Sequence, residues 1–181
     1  MKEECRIILS EVSECLDKVS DDDFATMISM IEKSNRIFCD AKGRSCLMIS
    51  SFAMRLVQMG KSAYIVSEYT TPAITSKDLL IVCSGSGETT ALVNHVKTAS
   101  KIGCSILLIT SNDNSSISGY ASKQIILPAG SKISTDSYSK QPLGSLFEQC
   151  CMVLFDGLSI TLMKTEHISE AEMRARHNNL E

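Results

Sequence analysis

The chain has 181 residues, enough for one domain that buries a sizeable core without disulfides. A formal net charge of −3 with no long basic block argues against nucleic acid or an anionic membrane surface as a partner. No apolar run reaches membrane-spanning length, and the opening Met1-Lys2-Glu3-Glu4-Cys5 lacks the basic-then-apolar order of a signal peptide, so the chain reads as cytoplasmic.

Residues 4–19 place Cys5, Ile8, Leu9, Val12, Leu16 and Val19 at helical spacing, which predicts an amphipathic helix outside the central sheet. Asp21-Asp22-Asp23 then opens a second helix, because carboxylates favour the positive end of the helix dipole; Phe24, Met27, Ile28 and Ile31 form its buried stripe. A strand follows at 36–40. After Gly43-Arg44-Ser45 a long helix carries Phe52, Ala53, Leu56 and Val57 and closes at Gly60. A short strand at 63–66 leads to a loop at 67–72.

Residues 79–92 are the centre of the pattern. The apolar run Leu79-Leu80-Ile81-Val82-Cys83 breaks at Ser84-Gly85-Ser86-Gly87 and passes into a helix with Leu92, Val93, Val96 and Ala99 on one side. A glycine turn followed by a helix start aims unpaired N–H groups at one point, where an anion fits. The hydroxyls of Ser84, Ser86 and Thr89 add donors. The stretch therefore reads as a phosphate cradle, and the absence of a lysine within it argues against a nucleotide P-loop.

A strand at 104–109, a short helix, and a strand at 124–127 complete the alternation. Strand and helix in turn imply an α/β fold of three layers, a mainly parallel sheet of about five strands between helices, with ligands at the carboxyl ends of the strands. Residues 128–142 form a polar loop long enough to be functional or mobile. A largely apolar helix at 143–164 is interrupted by Glu148 and Asp156. A carboxylate in such a setting costs free energy unless it is solvated, paired or protonated, so Glu148 is a functional candidate. The tail from 169 begins as a helix and is expected to fray. The eight cysteines form no C-x-x-C pair and have no nearby histidine at zinc-ligand spacing. They read as reduced core residues, and no metal site is expected.

Four stretches together resemble the sugar isomerase (SIS) family and, within it, the 6-phospho-3-hexuloisomerase branch. They are Gly43-Arg44-Ser45 with Phe52-Ala53-Met54-Arg55-Leu56; Glu68-Tyr69-Thr70-Thr71-Pro72; Ser84-Gly85-Ser86-Gly87-Glu88-Thr89; and Phe147-Glu148 with the closing Arg176-His177-Asn178-Asn179-Leu180-Glu181. The resemblance spans nearly the whole chain, as a single SIS domain over 1–181. The N-terminal helices (1–35) and the tail (166–181) are expected to pack on that domain or on a neighbouring subunit. It implies a flavodoxin-like parallel sheet and interconversion of D-arabino-hex-3-ulose 6-phosphate and D-fructose 6-phosphate, with no cofactor and no metal. By the same resemblance Gly43, Arg44, Ser45, Thr71, Ser84, Ser86 and Thr89 belong to the sugar-phosphate site, and Glu148 and His177 transfer protons. A homotetramer of paired dimers is also implied, with sites near subunit boundaries. Where the family pattern reads Gly-Ala-Gly-Arg-Ser-Gly, this chain has Ala41-Lys42-Gly43-Arg44-Ser45-Cys46, which gives two glycine positions a Cβ and sets an amine in the loop. Two other readings stay open on sequence: an SIS isomerase for a different sugar phosphate, and a sugar-phosphate sensor without catalysis.

Overall fold

Strands β1 (Ile37–Ala41), β2 (Ala63–Ile65), β3 (Leu79–Cys83), β4 (Ser105–Thr110) and β5 (Lys123–Ile126) form one parallel sheet in the order β2-β1-β3-β4-β5. The computed structural model describes residues 2–130 and 139–180. The order is the flavodoxin-like winding expected from the sequence. From β1 the chain lays β2 on one side and then returns to lay β3 on the other, so the loops leaving β1 and β3 diverge and open a crevice between them.

Side chains alternate across a strand, and in the central strands β1, β3 and β4 both sets are buried. Ile37, Cys39, Ala41, Leu79, Ile81 and Cys83 join one core with helices α3 (Arg44–Gln58) and α5 (Ser145–Thr165), on which α1 (Lys2–Leu16) and α2 (Asp21–Lys33) also pack. Phe38, Leu80, Val82, Ile106 and Leu108 join a second core beneath α4 (Thr90–Ile102). The 21-residue α5 is long and apolar enough to cross a membrane by composition. Its apolar content goes instead into the core, where Phe155 stacks on Phe52 of α3 at 4.6 Å and Cys150, Cys151, Leu158 and Leu162 are buried.

The amino ends of β1 and β3 are tied together by charge. Arg36 donates to both oxygens of the buried Asp78, at 3.1 and 2.7 Å, and Thr75 adds its N–H and hydroxyl at 2.7 and 2.8 Å. Burial pushes the Asp78 carboxyl up, but these hydrogen bonds outweigh it and hold the group below the usual carboxylate range.

Three expectations change in detail. The short helix expected after residue 114 is only a 3-10 turn, Ser118–Tyr120, because the Ser115 and Ser118 hydroxyls take each other's backbone N–H groups and compete with helical bonding. In α1 only Val12 and Cys15 are buried, and Leu9 of the expected apolar stripe stays 69% exposed. The tail begins with the expected helix, α6 (Glu170–Ala175), but is tied down rather than frayed at its start: a reciprocal Ser169–Glu172 capping box opens it and Arg176 reaches the Gln58 carbonyl. Part of the 128–142 loop, residues 131–138, lies outside the described residues. Its far end is tied to α1: Glu11 accepts from the Ser139 hydroxyl, the Lys140 N–H and the Gln141 amide at 2.6, 2.8 and 2.9 Å.

Candidate active site

A cavity of about 180 Å³ opens where β1 and β3 end. Lys42 and Ser45 line it from the loop after β1, Ser84, Gly85, Ser86 and Thr89 from the turn after β3, and Gly144, Phe147 and Glu148 from the start of α5. The turn holds its shape through its own hydroxyls and glycines. Ser84 Oγ accepts from the Gly87 N–H at 3.1 Å and Ser86 Oγ from the Glu88 N–H at 3.2 Å. Gly87 has φ +67°, and a Cβ there would collide with the Ser115 side chain, so both backbone and space demand glycine. Gly43 plays the same part before α3, at φ 64° and ψ −143°, a region essentially reserved for glycine.

Three helices begin on this cavity, and none is capped by a side chain. The N-cap positions are Gly43 for α3, Thr89 for α4 and Gly144 for α5, each without a side-chain cap hydrogen bond. Two α-helices that start elsewhere behave differently: Ser20 caps α2 and Ser169 caps α6. The positive ends of three helix dipoles, with first-turn N–H groups that no side-chain cap takes, thus face one space, and the Thr89 hydroxyl is uncommitted to its helix. Such a space favours an anion.

Glu148 is the buried carboxylate on the cavity wall. It lies in the first turn of α5, is 2% exposed, and accepts from Arg44 Nε at 2.5 Å. The Arg44 side chain is 64% exposed, so one water-facing guanidinium balances a buried negative charge at the cavity wall. Asp156, the other carboxylate of the apolar helix, is exposed and needs no partner. Glu88, though within the cradle sequence, turns away and accepts from the Ser116 N–H and hydroxyl at 2.7 and 2.6 Å. It braces the neighbouring loop.

Of the residues expected at the site, Ser45, Ser84, Ser86, Thr89 and Glu148 line the cavity. Gly43 and Arg44, between Lys42 and Ser45 in the chain, do not line it themselves; Arg44 reaches it only through its bond to Glu148. Thr71 does not join them: its hydroxyl donates to the Ile65 carbonyl at 2.6 Å, and it lines a separate cavity with Phe38, Glu68 and His95. His177 is also apart. It lies in a groove with Arg55, Gln58, Ser159 and Met163, at the other end of α5. Ser159 follows Glu148 by 11 residues on one helix, roughly 16 Å of rise. One chain therefore does not bring His177 to Glu148.

Sequence reading passed over Asp40. It is buried at the end of β1, where its Oδ2 accepts from His95 Nδ1 at 2.7 Å and its Oδ1 lies 3.8 Å from Lys42 Nζ. Burial pushes its carboxyl above the ordinary range, against the opposing effect of His95 and Lys42. An acid inside an apolar strand run was the available signal. Among the described residues no group of three or more His, Cys, Asp or Glu side chains is placed to hold a metal ion.

Residues 30–143 match the SIS domain family. A 3-hexulose-6-phosphate isomerase of Mycobacterium gastri is 36% identical over 97% of this chain and 88% of its own length. One from Bacillus subtilis is 36% identical over 96% and 95%. Among solved structures, a Methanococcus jannaschii protein, whose crystal structure was read as inferring a function of 3-hexulose-6-phosphate isomerase, superposes with a TM-score of 0.86 at 31% identity, covering 99% of both chains. With its flavodoxin-like sheet, its Ser-Gly-Ser-Gly-Glu-Thr turn and these relatives, the chain belongs to the SIS domain family.

Proposed function

We propose that the chain is a 3-hexulose-6-phosphate isomerase, moving the carbonyl of D-arabino-hex-3-ulose 6-phosphate from C3 to C2 to give D-fructose 6-phosphate in the cytoplasm. The observation that carries this reading is the buried Glu148 carboxylate opening onto the same cavity as the hydroxyl-lined turn after β3. The phosphate takes the Ser84–Thr89 turn, and Ser45 at the facing helix start adds a donor. Held there, the open-chain sugar presents its carbons to Glu148 in fixed register. Glu148 removes the C2 proton, the electrons form the C2–C3 enediolate, and the same carboxyl returns a proton to C3 while the hydroxyl proton passes from O2 to O3. Arg44 donates to Glu148 and so holds the carboxylate that moves the proton. A positioned base of this kind contributes on the order of 10²–10⁴-fold.

His177 is proposed to serve a neighbouring copy's site in a homotetramer. Exposed apolar side chains on α3 and α5, among them Leu47, Met54, Val57, Val153 and Ile160, support such an assembly, and Ile160 lines the His177 groove itself. A coupled assay supplied with hex-3-ulose 6-phosphate tests the reaction; failure to release fructose 6-phosphate rejects it. Mixing inactive Glu148→Gln and His177→Ala subunits tests the sharing. Hybrid oligomers regain activity if sites are completed across subunits, and stay inactive if they are not.

A further inference from the structure

We propose that Lys42 is a substrate-binding residue that contacts the phosphate group, and that the buried Asp40–His95 pair positions it. The proposal rests on reading the cavity as a sugar-phosphate site. Among the described residues that line the cavity, Lys42 is the only basic one, and it shares that space with the Glu148 carboxylate. The turn from Ser84 to Thr89 offers hydroxyls and N–H groups but no side-chain cation. A phosphate dianion entering there meets a carboxylate on one wall, and an amine on the other offsets it.

The amine is held in place. Lys42 Nζ donates to Ser67 Oγ at 2.6 Å and stands 3.8 Å from Asp40 Oδ1, beyond hydrogen-bond reach but within ion-pair range. A lysine has three N–H donors, and Ser67 takes one. Donors are left for a ligand. Asp40 Oδ1 has no hydrogen-bond partner among the described residues, although Asp40 is only 1% exposed. Its other oxygen is fixed by His95, so the carboxylate is a rigid negative anchor behind a lysine stem whose side chain is 37% exposed.

The test is calorimetric titration of inorganic phosphate and of fructose 6-phosphate into the parent chain and the Lys42→Met, Lys42→Arg and Ser86→Leu variants. A lost charge-assisted hydrogen bond predicts that Lys42→Met weakens both ligands by about tenfold or more, and that Lys42→Arg recovers most of the loss. In turnover the Lys42→Met loss falls on KM more than on kcat. For the positioning pair, His95→Asn raises KM in the parent background and adds nothing once Lys42 is methionine. Phosphate binding by Lys42→Met within twofold of the parent, with Ser86→Leu clearly weakened, overturns the Lys42 assignment and leaves the cradle standing. Unchanged binding by Ser86→Leu instead overturns the reading of the cavity as a phosphate site. Additive effects of His95→Asn and Lys42→Met overturn the positioning role.

Discussion

The same two strands, β1 and β3, end very differently at their two tips. At the amino tip Asp78 accepts four hydrogen bonds from Arg36 and Thr75, so both of its carboxylate oxygens are engaged. At the carboxyl tip, among the described residues, Asp40 keeps one oxygen without a hydrogen bond, three helices start without side-chain caps, and Glu148 is buried against a single guanidinium. A closed set of partners is what a structural clamp needs, and an open set is what a ligand can complete. The winding order explains why the open set lies at this tip: the chain diverges after β1 and β3, which opens a crevice between the loops that leave them.

Removing Asp78 is the largest expected break in this contrast. Asp78→Ala strips the partner from Arg36 and from Thr75, and loss of one member of a buried pair costs about 3–5 kcal/mol, toward the lower figure here because Arg36 is partly solvated. Urea unfolding measures the loss, and the activity per folded molecule should stay near parental. A cost under about 1 kcal/mol would reduce the clamp to an ordinary surface pair.

At the other tip Glu148→Gln should have the opposite profile. Turnover falls by at least about 10²-fold, equivalent to about 2.7 kcal/mol of transition-state stabilisation, while the unfolding free energy moves by less than about 1 kcal/mol because Arg44 is already solvated. In D₂O the parent should wash deuterium into carbon-bound positions of fructose 6-phosphate and the variant should not. Near-parental turnover in Glu148→Gln transfers the shuttle to another group.

Helix starts give a smaller and more pointed test. Ser20→Ala removes the cap of α2, whose hydroxyl accepts from the Asp23 N–H at 3.1 Å, and should cost about 1 kcal/mol of stability with no change in ligand affinity. Thr89→Val removes no cap, so it should leave stability nearly unchanged and weaken phosphate binding several-fold. Reversal of that pattern in melting and titration data would erase the distinction between the two kinds of start.

The smallest effect is in proton binding. Asp78 titrates below its unfolded value of about 3.9, so the stability it contributes is complete above that value and is lost as pH falls through the lowered one. Asp40 titrates above about 3.9, so its penalty is absent at lower pH and grows as pH rises through the raised value. Carboxyl carbon NMR should show the two aspartates displaced to opposite sides of the reference. Displacement of both in one direction contradicts the contrast between the tips.

Much of this was legible in the chain. The central strands β1, β3 and β4 announced themselves as apolar runs, since both of their faces are covered, and the Ser-Gly-Ser-Gly turn marked where β3 gives way to α4. Glu148 stood out because its helical neighbours are apolar. The same logic applies to Asp40, flanked by Cys39 and Ala41, yet its meaning depends on His95, 55 positions away, which no local period reveals. The Arg44–Glu148 pair spans 104 positions and is visible only once α3 and α5 lie side by side. Thr71 shows the converse: motif resemblance put it with the phosphate groups, and the fold sends its hydroxyl to the Ile65 carbonyl instead.

The uncapped starts of α3, α4 and α5 bear on supply as well as on chemistry. A bound sugar phosphate would act as the shared N-cap of all three helices, so the folded fraction becomes linked to metabolite level. Occupancy at a hundred times Kd adds about 2.7 kcal/mol to unfolding, and starvation withdraws it. Amide protons in those first turns then become a gauge of substrate abundance, exchanging fastest when the cell has least to isomerise.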